Sequence, residues 1–156
     1  MPGTRSSSRL AASLELKQAA AFRAALRQFL GRTEAATADA GLTPQRYDLL
    51  LAISAAGGES TINELCTHLD MRQTAVTELV KRAEEAGLVT RTSSTVDRRV
   101  VLVHLTPEAE ARFKRCFAAL AADRAFFADA LESLKETLES PLEADSPLGP
   151  SSQPGR

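Results

Sequence analysis

Two short amphipathic helices joined by a tight turn, between residues 61 and 87, constrain the fold of this chain most. Thr61 and Glu64 fit the S/T-x-x-E capping box, in which each side chain bonds a free backbone amide of the other at a helix start. A turn at Asp70-Met71 leads to a second helix over 72–86, which Gly87 ends as a C-cap glycine. This pattern predicts a helix-turn-helix. Its predicted buried side chains are Ile62, Leu65, Cys66 and Leu69 on the first helix, and Val76, Leu79, Val80 and Ala83 on the second.

The residues after Gly87 change from helical to strand periodicity. β-Branched residues concentrate in segments 88–91 and 99–105, and the polar segment 92–98 separates them. Such a pair of segments predicts a two-stranded hairpin. A hairpin that directly follows a helix-turn-helix is a wing. We therefore expect a winged helix-turn-helix domain over residues 41–106.

Long helices are predicted on both sides of this domain. Over residues 9–40, apolar residues recur with the spacing of one buried helical face. Thr106-Pro107 begins a second helical region, 107–140, with an apolar seam that only Arg124 interrupts. A seam this long on a small chain suggests a partner helix, most simply from a second copy, so both regions are predicted to be dimerisation helices. The seam contains Phe113, Phe117, Leu120, Phe127, Leu131, Leu134 and Leu138.

Both ends of the chain are predicted to be disordered tails. Residues 1–8 are polar, and residues 141–156 contain four prolines, two glycines and few apolar groups. Such segments cannot offset the entropy lost on ordering. The predicted fold class is therefore mainly α with a small β-hairpin wing: a winged helix-turn-helix with N- and C-terminal dimerisation helices.

Length, charge and hydropathy narrow the function classes. A chain of 156 residues favours one domain with appended elements. With 19 Lys and Arg against 20 Asp and Glu, the net charge of −1 gives no sign of nucleic-acid binding, so that case must rest on local placement. No run approaches the roughly 18 apolar residues that span a bilayer. With no apolar secretory segment at the start, we expect a cytoplasmic protein that does not bind a membrane.

The outer face of the helix at 72–86 carries polar side chains that can contact DNA bases. Glutamine can bond adenine through two hydrogen bonds, and threonine can bond a base or pack against the methyl group of thymine. Arginine and lysine can bind guanine or phosphate. Alternatively, this face is simply solvated, since segment 72–99 has only six Lys and Arg against four Asp and Glu. The outward residues are Arg72, Gln73, Thr74, Thr77, Glu78 and Lys81.

The hairpin loop ends in Asp97-Arg98-Arg99, two guanidinium groups beside a carboxylate that can orient one of them. A narrow A·T minor groove has an enhanced negative potential that attracts inserted arginine. The alternative is an ordinary charged turn in solvent.

Four segments in this order closely resemble the MarR-type transcriptional regulators, and the resemblance covers about residues 10 to 140. It implies a homodimeric winged helix-turn-helix protein that binds a pseudo-palindromic operator in double-stranded DNA. Such proteins are usually repressors released by a small ligand or an oxidant. The segments are 42–50 (LTPQRYDLL), 61–65 (TINEL), 85–91 (EAGLVTR) and 97–106 (DRRVVLVHLT).

The resemblance also implies roles for individual residues. Gln73, Thr74 and Thr77 fall on the base-reading helix. Arg91 falls on the arginine that ends the first wing strand, Asp97 on the orienting aspartate and Arg99 on the minor-groove arginine. Arg98 is left as a phosphate contact.

Three positions depart from the family pattern. Arg72 stands where a small N-cap residue is common, so the helix start loses a capping oxygen. Glu78 stands where a basic residue is common. It can pair with Arg82, accept from a cytosine amino group or repel phosphate. Ala83 replaces a larger core residue.

Ligand, redox and catalytic sites leave weaker signals. The resemblance places an effector between the dimerisation helices and the winged domain, where Phe22, Phe29, Tyr47 and Phe113 are candidate lining residues. Each of these four aromatics is otherwise plain core.

Cys66 and Cys116 lie on apolar helix faces, which predicts structural cysteines. An oxidant-sensing regulator that uses them is an alternative function, and a winged-helix module that binds protein is another. His68 and His104 lack neighbouring ligands at a metal-binding spacing. Without a P-loop lysine after Gly57-Gly58 or a nucleophile–base pair, we expect no cofactor, no metal and no enzyme.

Overall fold

The computed structural model describes residues 3–139, with side chains described for residues 13–136. It is mainly helical with one small antiparallel sheet, which confirms the predicted fold class. None of the described helices is long and apolar enough to cross a membrane. The elements are α1 (Gly3–Asp39), α2 (Pro44–Ala55), β1 (Glu59–Thr61), α3 (Ile62–Leu69), α4 (Gln73–Glu85), β2 (Val89–Ser93), β3 (Val101–Leu105), α5 (Pro107–Ala119) and α6 (Ala121–Glu139).

Helix α3 begins with the predicted capping box. The hydroxyl of Thr61 accepts from the amide of Glu64 at 3.2 Å, and the amide of Thr61 donates to the Glu64 carboxylate at 2.7 Å. Hydrogen bonds from the Thr61 amide and hydroxyl lower the pKa of Glu64. Acidification that protonates this carboxylate therefore weakens its half of the box. Thr43 and Thr106 cap α2 and α5 through their hydroxyls, which accept from the amides of Arg46 and Ala109, and a proline follows each of them.

The sheet has three strands in the order β1-β3-β2, whereas the sequence predicts only the hairpin of β2 and β3. Strand β1 is three residues long and pairs with β3 through Ser60 and Val103. Three residues are too few to show a period of two, so sequence patterning does not reveal this strand. Gly57 and Gly58 lead into it with positive φ angles of 89° and 101°.

The core lies where α2, α3, α4, α5 and the sheet meet. All four predicted inward residues of α4 are buried there. On α3, Leu65 is fully buried, but the other three predicted core residues are only partly buried. Helix α3 lies at the edge of the core, which explains this difference. The fully buried side chains include Leu49, Leu50, Ile53, Leu65, Val76, Val80, Leu88 and Val103.

Several element boundaries differ from the sequence predictions. Helix α1 begins at Gly3, not at residue 9, because residues 3–38 contain no proline that would interrupt a helix. The wing strands are Val89–Ser93 and Val101–Leu105, so the connecting turn spans 94–100 and not 92–98. The predicted tail at 141–156 lies outside the described residues.

The predicted apolar seam within the helical region 107–140 is divided between two helices, because α5 ends at Ala119 and α6 begins at Ala121. The apolar seam consequently does not form one face. Phe113 and Leu120 are buried in the winged-domain core, whereas Phe127 packs on α1 and Leu131 is 42% exposed.

Replacing Thr61 by alanine should lower the free energy of unfolding by about 1 kcal/mol, because the N-cap oxygen is lost. Thr67 is the matched control: it is exposed in the same helix and bonds only the carbonyl of Asn63. Thr67→Ala should change stability by less than about 0.5 kcal/mol. Urea denaturation measures both values. Equal losses in the two variants would contradict a specific role for the cap.

Candidate nucleic-acid interface

One face of α4 is polar and exposed because the opposite face is buried. Burial of Val76, Val80 and Ala83 fixes the rotation of the helix about its axis. The six outward residues predicted from the sequence are all exposed, and the structure brings them together along one side of the helix. They are Arg72, Gln73, Thr74, Thr77, Glu78 and Lys81.

The start of α4 is held by the turn after α3 and not by a side-chain cap. Asp70 has a left-handed backbone with φ of 50°, and the amide of Met71 bonds the carbonyl of Cys66 at 3.1 Å. Arg72 is the N-cap residue and makes no side-chain cap hydrogen bond. The first amides of α4 therefore face solvent without an internal acceptor from that side chain, which suits an anionic partner.

The turn at the tip of the wing is ordered by its own hydrogen bonds. The amide of Ser94 donates to the carbonyl of Val100 at 2.8 Å, and the amide of Val100 donates to the carbonyl of Asp97 at 2.9 Å. This turn holds Arg98 and Arg99 in exposed positions. Neither guanidinium forms an ion pair within the described part of the chain.

Asp97 orients this turn through the backbone. Its carboxylate accepts from the amide of Arg99 at 3.0 Å. The sequence predicts instead that Asp97 orients a guanidinium beside it, and the structure shows no such contact among the described residues. The short side chain of an aspartate in a turn reaches the backbone amide two residues on more readily than a long, flexible arginine side chain. The guanidinium groups of Arg98 and Arg99 therefore remain exposed and can bind an external partner.

Arg91 forms an ion pair with another residue of the same chain, Glu84. Its Nε donates to the Glu84 carboxylate at 2.8 Å, so the pair joins α4 to strand β2. These hydrogen bonds lower the pKa of Glu84. The sequence prediction places Arg91 at the DNA, but it missed Glu84 as a partner seven residues away. Because that spacing joins two different elements, no helical periodicity could reveal it.

Glu78 lines an open groove of about 550 Å³ between the start of α2 and α4. Arg46, Met71 and Arg82 line the same groove. Within the described residues, no ion pair joins Glu78 to Arg82, which was one of the three predicted roles for Glu78. The Glu78 side chain is exposed on the same face as Gln73 and Thr77.

The structure does not bring the four candidate effector-site aromatics into one pocket. Phe22 and Phe29 lie on α1 and pack against Phe127, with ring centroids 6.1 and 5.1 Å away. Tyr47 and Phe113 pack together at 5.6 Å inside the winged domain. Phe22 also lines a cavity of about 300 Å³ between α1 and α6.

Both cysteines are at least partly buried, and each histidine ring contacts an oxygen atom of a neighbouring residue. Burial raises the pKa of the Cys116 thiol, and Cys66 is partly buried against the core. His68 Nδ1 contacts the carbonyl of Glu64 at 2.9 Å, and His104 Nε2 contacts the hydroxyl of Thr92 at 2.8 Å. Sequence patterning missed the His104–Thr92 contact across the sheet. No group of three His, Cys, Asp or Glu side chains within the described residues could hold a metal ion.

A model of the MarR family matches residues 40–100 of this chain. The HTH-type transcriptional repressor MdtR of Bacillus subtilis (strain 168) is 31% identical over 78 residues, which are 50% of each chain. A putative transcriptional regulatory protein for the hcr operon of Thauera aromatica is 37% identical over 84 residues, covering 54% of this chain and 48% of the relative. The chain thus matches about half the length of these curated relatives.

Solved structures extend the likeness in fold to most of the chain. A mutant of MarR from E. coli, crystallised with operator DNA, superposes with a TM-score of 0.63 at 22% identity. The match covers 77% of this chain and 89% of that one. Both sequence relatives are named as transcriptional regulators, which supports the prediction against an enzyme. Residues 40–100 thus resemble the MarR family in sequence, and the described structure has the same winged-helix fold as a solved MarR protein.

Proposed function

We propose that this chain is a transcriptional regulator that binds double-stranded DNA sequence-specifically as a homodimer. It occupies a pseudo-palindromic operator, represses transcription and is released by a small effector. The names of its relatives, a transcriptional repressor and an operon regulator, support this class of function.

The observation that carries the proposal is the polar outer face of α4. A helix of 13 residues with one buried face can lie in the major groove and present its first turns to base edges. Gln73 has the two groups that bond adenine, and the methyl groups of Thr74 and Thr77 can pack against thymine. Arg72 and Lys81 supply charges for guanine or phosphate at the two ends of this contact face.

The wing supplies the second contact. Its ordered turn exposes Arg98 and Arg99 without internal partners among the described residues, and Asp97 fixes the backbone between them. An arginine presented in this way suits the negative potential of a narrow A·T minor groove. Arg91 acts indirectly in this proposal, since its bond to Glu84 attaches the wing to α4.

Apolar side chains on α1 and α6 support a homodimer. Leu14, Leu30, Phe126 and Leu131 are each between 42% and 58% exposed. A second copy that covers them would bury apolar surface and place two α4 helices on one DNA molecule. Two-fold symmetry then requires half-sites about 10 base pairs apart or a multiple of that distance.

Effector release requires a ligand that prefers a non-binding arrangement of the dimer. The first aromatic cluster, Phe22 and Phe29 packed on Phe127, lies where α1 meets α6, and the second cluster, Tyr47 and Phe113, lies in the winged domain. A small apolar or aromatic molecule bound at either cluster would change how the α1–α6 helical pair packs against the winged domain.

A winged-helix module that binds protein is the competing function. Glu78 favours it, because its carboxylate stands exposed on the face that would meet phosphate. The small local excess of positive charge over segment 72–99 points the same way. A protein-binding module would show little dependence of duplex binding on sequence.

Two alanine variants should separate base recognition from groove electrostatics. Gln73→Ala should cost about 1–3 kcal/mol at one base pair and relax the preference there, because a bidentate contact is lost. Arg99→Ala should weaken binding most on A·T-flanked sites and reduce the slope of log K against log salt by about 0.9. Fluorescence anisotropy over a salt series measures both effects.

Arg115→Ala provides the charge-matched control, since Arg115 is exposed on α5 and belongs to neither α4 nor the wing. It should leave sequence preference unchanged. Equal, sequence-independent losses from Gln73→Ala and Arg99→Ala would contradict these roles. Absence of duplex binding at low ionic strength would favour the protein-binding module.

The oxidant-sensing alternative makes a distinct prediction about thiol reactivity. Only the thiolate reacts, so the raised pKa and the 2% exposure of Cys116 should make its alkylation much slower than that of Cys66. Mass spectrometry after timed alkylation measures both rates, and denaturation should equalise them. Rapid labelling of Cys116, or peroxide-induced release of DNA that Cys66→Ser and Cys116→Ser abolish, would support the sensor.

A further inference from the structure

Arg124 is the charged residue that interrupts the apolar seam, and the function proposed above gives it no role. In the structure its guanidinium carbon lies 3.6 Å from the centre of the Phe117 ring. Its Nη1 also donates to the carbonyl oxygen of Phe117 at 2.7 Å. Arg124 is partly buried, and Phe117 is 39% exposed.

These contacts explain why α5 and α6 are separate helices. Segment 107–139 has no glycine, and its single proline is the first residue of α5, so neither residue type causes the break at Leu120. In an unbroken helix the carbonyl of Phe117 would accept from the amide of Ala121. No such backbone bond is present among the described residues, and the guanidinium takes that acceptor instead. A side chain inserted into the backbone ladder is a recognised cause of a helix kink.

Arg124 joins two packing units. Phe117 belongs to the winged domain through Phe113, whose ring lies 5.5 Å away. The guanidinium also faces the Tyr47 hydroxyl of α2, where it opposes the rise in the Tyr47 pKa that burial causes. On the other side, α6 packs on α1 through Phe127, and the carboxylate of Asp123 pairs with Arg32 at 3.1 Å.

We propose that Arg124 is a positioning residue that fixes the angle between the winged domain and the α1–α6 helical pair. This inference rests on the proposed homodimer that binds DNA. In that dimer, the angle sets the separation of the two α4 helices and hence the half-site spacing that each dimer accepts.

The length of α6 makes the angle important. Its 19 residues extend roughly 28 Å, so a rotation of about 10° at its start moves its far end by about 5 Å. That displacement exceeds the rise of roughly 3.4 Å per base pair. A loosened junction would therefore let the dimer fit neighbouring spacings that the native angle rejects.

The test compares affinities for duplexes whose half-sites are moved apart or together by one and two base pairs. Arg124→Gln should bind the preferred spacing about tenfold more weakly, because a cation–π contact and a charged hydrogen bond are lost. Its affinities across the spacings should also become more nearly equal. Arg124→Lys keeps a cation over the ring but loses the planar guanidinium. Its affinity profile across the spacings should therefore lie between those of the unmodified protein and Arg124→Gln.

Arg115→Gln removes the same charge from a position on α5 where the side chain has no partner among the described residues, and it should keep the native spacing profile. A native profile in Arg124→Gln, or the same uniform loss in both variants, would overturn the inference. Failure of the unmodified protein to bind any duplex would instead overturn the proposed function.

A measurement without DNA tests the junction separately. Residual dipolar couplings of backbone amides report the angle between α5 and α6 in the unmodified chain. Both helices should fit one alignment with the angle of the structure, whereas the α6 couplings of Arg124→Gln should no longer fit the alignment of α5. Unchanged couplings in that variant would contradict a positioning role, whatever the DNA result.

Discussion

Burial of one side of α4 is the constraint on which the rest of the structure depends. Val76, Val80 and Ala83 have 1% or less of their surface exposed, so the helix cannot turn about its axis without exposing apolar area. The same burial fixes Gln73 and Thr77 outward. The residues that stabilise the core therefore also decide which side chains of α4 can reach a partner.

The wing follows α4 as part of the same rigid unit. The hydroxyl of Thr106, at the end of β3, donates to the carbonyl of Gly87 at 2.8 Å, and the amide of Thr106 donates to the carbonyl of Leu88 at 3.0 Å. The ion pair of Arg91 with Glu84 adds a third link between helix and hairpin. The major-groove and minor-groove contacts that we propose thus originate from one body, whose orientation relative to α1 and α6 is set at the α5–α6 junction.

Local signals in the sequence predicted what depends on neighbouring residues. The capping box of Thr61, the inward face of α4 and the exposed wing arginines follow from spacing and residue type. Contacts between elements were not predictable in this way. Glu84 faces Arg91 only after the wing folds back onto α4. Asp97 accepts from a backbone amide and does not contact a guanidinium among the described residues. The sequence analysis missed the break before α6 because Arg124 takes the carbonyl of Phe117 as its hydrogen-bond acceptor. Neither helix propensity nor hydrophobic periodicity indicates such a contact.

The central claim is that the first turns of α4 and the turn of the wing together form the DNA-contacting surface. Backbone amide chemical shifts, followed during titration with a duplex selected from random sequences, test it most directly. We expect the largest changes within residues 72–81 and 94–100, with small changes along α1. Changes concentrated on α1 and α6, or no change at low ionic strength, would contradict it.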